Sequence, residues 1–159
     1  GKSSKPMSHR VAAYFLLIAT RTGRNTTPLL ELSRDALQEN PFRPETDLLV
    51  TYKRRGYTQT VHAFQRSSSD VESATPISKR VGTLYRECLA MTQELADEAK
   101  ASNAINVQGL HVADFLFLFR RGRVGRCKSA GEIASLNPTT LRDAVLRLVD
   151  EHDIRDDVD

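Results

Sequence analysis

A nearly uninterrupted apolar segment, Val11–Ala19, constrains the fold more than any other part of this chain. It is too short to span a bilayer, so we predict a central helix, Ser8–Arg21, that other elements cover. The helix ends before the turn Thr22-Gly23-Arg24-Asn25. A second helix is predicted at Thr27–Leu37, with a proline in its first turn and leucines that pack inward.

Arg24 lies in this turn, at the predicted start of the second helix. A helix N-terminus carries free backbone N–H groups and a partial positive charge. A guanidinium beside such groups suits a phosphate or another oxyanion, which makes Arg24 a candidate anion-binding residue. The alternative is an ordinary corner between two helices with a solvated arginine.

The charge distribution also favours a polyanionic partner. The chain has 159 residues, the size of one domain spanning residues 1–159, and a net charge of +3. Residues 150–159 hold six acids and one base, so the rest of the chain carries 22 bases against 14 acids. A basic body of this kind is typical of proteins that bind nucleic acid, although a solvated basic surface is also common. Cys88 and Cys127 show no metal-ligand spacing and are expected to be free thiols in a reducing cytoplasm.

The remaining pattern predicts an α+β fold, mainly helical, with a small antiparallel β-hairpin or three-stranded sheet. Leu48–Tyr52 is a β candidate, Lys53–Gly56 reads as a turn, and Tyr57–Phe64 is the expected return strand. Gln65–Ala74 is polar and serine-rich, which predicts a loop with room for a third short strand.

Helical spacing returns at Pro76, where a long helix is predicted to start and to continue to the turn residues Asn103–Gln108. Phe115–Phe119 is compatible with a buried strand or a helical segment. Asn137-Pro138 predicts the start of a last helix, with a cap followed by proline.

Two basic clusters are candidate DNA-binding residues. The predicted hairpin turn places Arg54 and Arg55 after Lys53, and a predicted flexible loop follows Phe119. Such side chains suit the phosphates of a nucleic-acid backbone, and without a ligand they would be solvated. The basic residues of the loop are Arg120, Arg121, Arg123, Arg126 and Lys128. The chain has no HExxH, no Cys/His cluster, no P-loop, no GxGxxG and no GxSxG, so we expect no metal and no cofactor.

The order of these parts resembles the catalytic domain of the tyrosine recombinases, the phage-integrase family. There, an apolar helix precedes a Thr-Gly-x-Arg turn and a leucine-rich helix ending in Asp, as Thr22–Asp35 does here. A hairpin with a catalytic lysine follows, and Thr51–Gly56 occupies its place. A long helix, an FxxxxGR-like segment and a further helix complete the order from Leu84 to Leu148.

The resemblance implies a recombinase that breaks and rejoins double-stranded DNA through a 3′-phosphotyrosyl intermediate, without a metal or nucleotide cofactor. Arg24 would stabilise the negative charge that grows on the phosphate, and Lys53 would protonate the departing 5′-oxygen. It also implies a parent protein that is oligomeric on DNA, in the cytoplasm of a prokaryote or of phage origin, close to the nucleoid and not in a membrane.

The chain departs from the family pattern in two places. The family's arginine comes two residues after the glycine, where this chain has Asn25; either Arg24 serves from a tighter turn or the first catalytic arginine is missing. The family's His-x-x-Arg box and tyrosine nucleophile belong after a helix ending near Asp153, so we expect a front part that is inactive alone. The alternatives are a non-catalytic DNA-binding module on a degenerate recombinase scaffold and a helical protein-interaction domain.

Overall fold

The computed structural model describes residues 8–52, 71–122 and 131–151. Helices and a small antiparallel sheet make up this part of the chain, which confirms the predicted α+β class. Strands β1, β2 and β3 form one antiparallel sheet in that order, and β4 and β5 form a separate antiparallel pair. The helices are α1 (Ser8–Thr22), α2 (Thr26–Leu30), α3 (Lys79–Met91), α4 (Gln93–Ala101) and α5 (Pro138–Glu151). The strands are β1 (Leu37–Glu39), β2 (Thr46–Tyr52), β3 (Val71–Ser78), β4 (Leu118–Arg120) and β5 (Ile133–Ser135).

Helix α1 lies at the centre, as its apolar sequence predicts. It packs against α2, α3, α5 and β4, and Val11 and Ile18 are buried on it. Phe15 meets Phe117 edge to face, with ring centroids 5.4 Å apart. The cover is incomplete, because Leu17 is 42% exposed.

The second helix is much shorter than predicted, because α2 ends at Leu30 and not at Leu37. Beyond it, backbone groups bond to other elements: the Leu116 N–H donates to the Leu32 carbonyl at 2.9 Å. Leu37 then pairs with Leu49 as the first residue of β1. Tertiary pairing therefore overrides the helical pattern, while Leu32 remains buried as expected.

The main partner of β2 is β3, a segment for which the sequence predicted mostly loop and the start of a helix. Pairing runs from Thr46 opposite Ser78 to Tyr52 opposite Val71. The predicted return strand Tyr57–Phe64 lies outside the described residues. Pro76 lies inside β3, so the predicted helix start is wrong by three residues. This proline is tolerated because β3 is an edge strand among the described ones.

The long helix predicted after Pro76 is divided into α3 and α4 at Thr92. Arg34 explains the break, because its Nη2 donates to the Leu89 carbonyl at 2.8 Å. In a continuous helix that carbonyl would accept from residue 93. The buried Thr92 hydroxyl accepts a 2.7 Å hydrogen bond from Nη1 of the same guanidinium.

The aromatic segment 115–119 is buried, and its end forms β4. The strand includes Arg120, which the sequence assigned to a loop. Helix α5 begins as predicted: the Thr140 N–H donates to Asn137 Oδ1 at 2.9 Å, and the Asn137 N–H donates to Thr140 Oγ1 at 2.8 Å. Cys88 is fully buried as a free thiol, as expected, and Cys127 lies outside the described residues.

Candidate functional site

The turn after α1 directs Arg24 towards the three-stranded sheet. Gly23 has φ +64°, and its N–H donates to the Ala19 carbonyl at 2.9 Å. A left-handed residue in this position ends a helix, and glycine adopts that conformation without a steric penalty. The Thr22 hydroxyl donates to the Ile18 carbonyl at 2.8 Å and ties down the last turn of α1.

The guanidinium of Arg24 is held by two hydroxyl groups of β3. Nη1 donates to Thr75 Oγ1 at 2.7 Å, and Nη2 donates to Ser73 Oγ at 2.9 Å. Ser73 and Thr75 are two residues apart on the strand, so their side chains share one face of the sheet. Ser73 Oγ also lies 2.6 Å from Thr51 Oγ1, and Thr51 is its register partner on β2.

No charge neutralises Arg24 within the described part of the chain. Its bonded side-chain partners are both neutral hydroxyls. Other arginines are paired with carboxylates: Arg43 with Glu45, Arg86 with Asp47 and Arg120 with Glu98. Arg24 therefore combines a fixed orientation with an uncompensated positive charge, which is what an oxyanion requires.

The surroundings of Arg24 differ from those predicted. Helix α2 has five residues and is too short to supply the anion-binding helix N-terminus that the sequence suggested. Asn25 is exposed at its N-cap position, and its side chain makes no capping hydrogen bond. The sheet, and not the second helix, positions the guanidinium.

The other candidate catalytic residue, Lys53, lies outside the described residues, as do Arg54 and Arg55. Lys53 follows Tyr52, the last residue of β2. Thr51, one residue earlier, bonds to the serine that holds Arg24. The strand leading to Lys53 thus ends beside Arg24, whereas the convergence of the two side chains stays a prediction.

The cationic segment is described only at its start. Arg120 pairs with Glu98 and donates to the Gly131 carbonyl at 2.7 Å. The Arg121 guanidinium lies over the Phe119 ring, 5.9 Å from its centroid. Glu98 therefore partly neutralises the positive charge that the sequence suggested Arg120 would offer to a ligand. The DNA-binding role of both arginines stays a prediction. The other members, Arg123, Arg126 and Lys128, lie outside the described residues.

Two of the described tyrosines, Tyr14 and Tyr85, are not prepared to act as nucleophiles. Burial raises the pKa of Tyr85, whose hydroxyl donates to the Ser33 carbonyl at 2.6 Å. Partial burial and the Glu87 carboxylate raise the pKa of Tyr14. The Tyr52 hydroxyl accepts a 3.0 Å hydrogen bond from Gln38. Tyr57 lies outside the described residues.

A cavity of about 290 Å³ lies between α2, the segment before β4, and the β4–β5 pair. Its lining includes Glu31, Glu132 and Arg121, so acidic groups outnumber the basic one, and it does not include Arg24. It is therefore less suited to a polyanion than the Arg24 face of the sheet. Within the described ranges, no group of three or more His, Cys, Asp or Glu side chains is arranged to hold a metal ion.

Ser73 and Thr75 were not predicted as site residues from the sequence. In the structure, Val71, Ser73, Thr75 and Ile77 alternate with exposed residues, but the sequence Val71–Ser78 has no matching alternation of apolar and polar side chains. The high serine content of the preceding segment favoured a loop instead.

Comparisons with protein-family models, with curated proteins and with solved structures give no match to this chain. None of the described helices is long and apolar enough to cross a lipid bilayer.

Proposed function

We propose that this chain is part of a site-specific DNA recombinase that breaks and rejoins double-stranded DNA through a 3′-phosphotyrosyl intermediate. The observation that carries the proposal is the Arg24 guanidinium, held by the Ser73 and Thr75 hydroxyls and unpaired with any carboxylate among the described residues. A guanidinium held in this way suits the non-bridging oxygens of a phosphodiester, where negative charge grows during transesterification. Its position beside the end of β2 also supports the proposal, because Lys53 comes next in the chain.

In this proposal the residues divide the work between chemistry and binding. Arg24 contacts the scissile phosphate, and Lys53 protonates the departing 5′-oxygen. Arg54, Arg55 and the basic segment from Arg120 to Lys128 contact neighbouring phosphates without reading sequence. The chemistry requires neither a metal ion nor a nucleotide cofactor, and the nucleophile is a tyrosine other than Tyr14, Tyr52, Tyr57 and Tyr85.

A second candidate is a non-catalytic DNA-binding module on the same scaffold. Asn25 favours it, because an asparagine stands two residues after Gly23, where the family has its first catalytic arginine. The two candidates share DNA binding at Arg24 and differ only in covalent chemistry.

Duplex binding at several salt concentrations tests the shared step. We expect Arg24→Gln to weaken binding and to reduce the slope of log K against log salt by about 0.9, the value for one lost phosphate contact. Arg43→Gln is the matched control, because Arg43 is an exposed arginine paired with Glu45. Equal affinity and slope for both variants, or no duplex binding by the unmodified chain at low salt, would overturn the proposal. Absence of binding would favour a protein-interaction domain.

Covalent capture separates the recombinase from the binding module. In the parent protein, a nicked duplex should become covalently attached through a tyrosine, and Arg24→Gln should suppress this adduct while DNA binding is only weakened. A parent protein that binds DNA but never forms an adduct would leave the binding module as the function.

A further inference from the structure

We infer that Ser73 and Thr75 are positioning residues that orient Arg24 towards a phosphodiester oxygen. This inference depends on the proposed DNA-binding function and adds residues that the sequence did not assign to it. It starts from the two hydrogen bonds, 2.7 and 2.9 Å long, that connect the guanidinium to β3.

The geometry leaves Arg24 able to bind an anion. Each Nη group donates one bond to a hydroxyl, and the guanidinium has further N–H groups that make no bond within the described residues. Two bonds from different nitrogen atoms define the plane of the guanidinium, whereas one bond would allow it to rotate. The remaining N–H groups therefore point in a fixed direction, which lowers the entropic cost of binding a phosphate.

The neutral hydroxyl partners of Arg24 favour a role in binding an anion. A carboxylate in place of the hydroxyls would orient the arginine equally well but would compete with a phosphate for its charge. Asp47 shows the difference, because it is fully buried and pairs with Lys79 at 2.7 Å and Arg86 at 3.5 Å. Among the described residues, Arg24 is held by hydroxyls instead, and no carboxylate there pairs with its positive charge.

The sheet fixes the position of the Ser73 and Thr75 hydroxyls. Ser73 bonds to Thr51, directly opposite on β2, and Thr75 lies opposite the buried Leu49. A change of register by one residue would turn both hydroxyls to the other face of the sheet. The pairing of β2 with β3 therefore sets where Arg24 is held.

Duplex binding by the Ser73→Ala/Thr75→Val double variant tests the inference. The variant keeps the Arg24 charge and removes both hydroxyls, so we expect about tenfold weaker binding, with a salt slope that falls towards that of Arg24→Gln. The pair Ser73→Thr/Thr75→Ser keeps the hydroxyls and should restore affinity and slope. Adding the double variant to Arg24→Gln should produce no further loss, because the positioned group is already absent.

Matched controls separate positioning from a loss of stability. Ser102→Ala and Thr83→Val remove hydroxyls that donate only to carbonyls of their own helical segments, at Ala99 and Lys79. They should leave affinity and slope unchanged. Urea unfolding of each variant verifies that the protein is folded under the binding conditions.

Two outcomes would overturn the inference while the proposed function stands. In one, Ser73→Ala/Thr75→Val binds duplex with the affinity and salt slope of the unmodified chain, while Arg24→Gln binds more weakly. In the other, the loss of affinity caused by Ser73→Ala/Thr75→Val adds fully to the loss caused by Arg24→Gln. If Arg24→Gln itself matches its Arg43→Gln control, the proposed function fails instead, so the two failures are distinguishable.

Discussion

Arginine side chains in this protein occupy different environments, which decide what each one can do. Arg34 is used structurally, with bonds to the Thr92 hydroxyl and the Leu89 carbonyl, and burial lowers its pKa. Arg120 is paired with Glu98. Arg24 is held by the Ser73 and Thr75 hydroxyls and pairs with no carboxylate in the described part of the chain. The sequence predicted Arg24 as a candidate site, but its hydroxyl partners lie 49 and 51 positions away, beyond the reach of local patterns.

Because the Cys88 thiol is buried, we expect the folded protein to lose stability at alkaline pH. Burial raises its pKa from 9.0 to about 12, despite an opposing effect of Arg34. Between these values the unfolded chain releases the thiol proton while the folded chain retains it, so stability falls as pH rises through this window. The thiol's contribution to stability is fully present below about pH 9, the pKa of the unfolded chain.

Urea unfolding of Cys88→Ala and the unmodified chain at a series of pH values measures this effect. We expect their difference in unfolding free energy to be constant from about pH 6 to 8 and to shift in favour of Cys88→Ala above about pH 9. A difference that stays constant to high pH would contradict the assignment.

At the scale of elements, the sequence predicted helices better than it predicted their ends. Asn137 and Pro138 mark the start of α5 because capping and proline geometry are local effects. Beyond the end of α2, the backbone at Leu32 bonds to Leu116 in the segment before β4, and Leu37 pairs with Leu49 of β2. Leucines at helical spacing are equally compatible with the buried turn and strand that form instead.

Arg34 joins the segment after α2 to the junction of α3 and α4, and its removal should weaken that contact. We expect Arg34→Met to lower the unfolding free energy by about 2–3 kcal/mol, because it leaves the Thr92 and Leu89 oxygens without their charged donor. Arg43→Met is the control and should change it by less than about 0.5 kcal/mol, because its ion pair is exposed. Chemical denaturation of both variants provides the comparison, and equal effects would show that the Arg34 contacts contribute little.

For the whole molecule, the sequence predicted the α+β class and the central position of α1. Pairing between β2 and β3 brings Thr51, Ser73 and Thr75 together on one face of the sheet. This pairing joins strands separated by residues 53–70, and no local pattern specifies such a register. The candidate site could therefore be predicted as one residue, Arg24, but not as a constellation.

The chain by itself should not cleave DNA. A nicked duplex incubated with it should yield no protein–DNA adduct on a denaturing gel. The Tyr85 hydroxyl is buried and donates to the Ser33 carbonyl, and partial burial and Glu87 raise the pKa of Tyr14, so both are poor nucleophiles. A strand-cleaving recombinase on its own site serves as the positive control. An adduct formed by this chain would contradict the expectation, and mass spectrometry of the attached peptide would identify the tyrosine.

Helix α3 crosses β2 so closely at Gly82 that a methyl group there would lie 2.2 Å from Asp47 Oδ2. Protein engineers often exchange helical glycines for alanine to gain thermostability. At Gly82 this exchange should destabilise the protein, because the added methyl group would collide with the buried Asp47 carboxylate, which is paired with Lys79 and Arg86. A thermostabilised version of this protein would need its substitutions elsewhere.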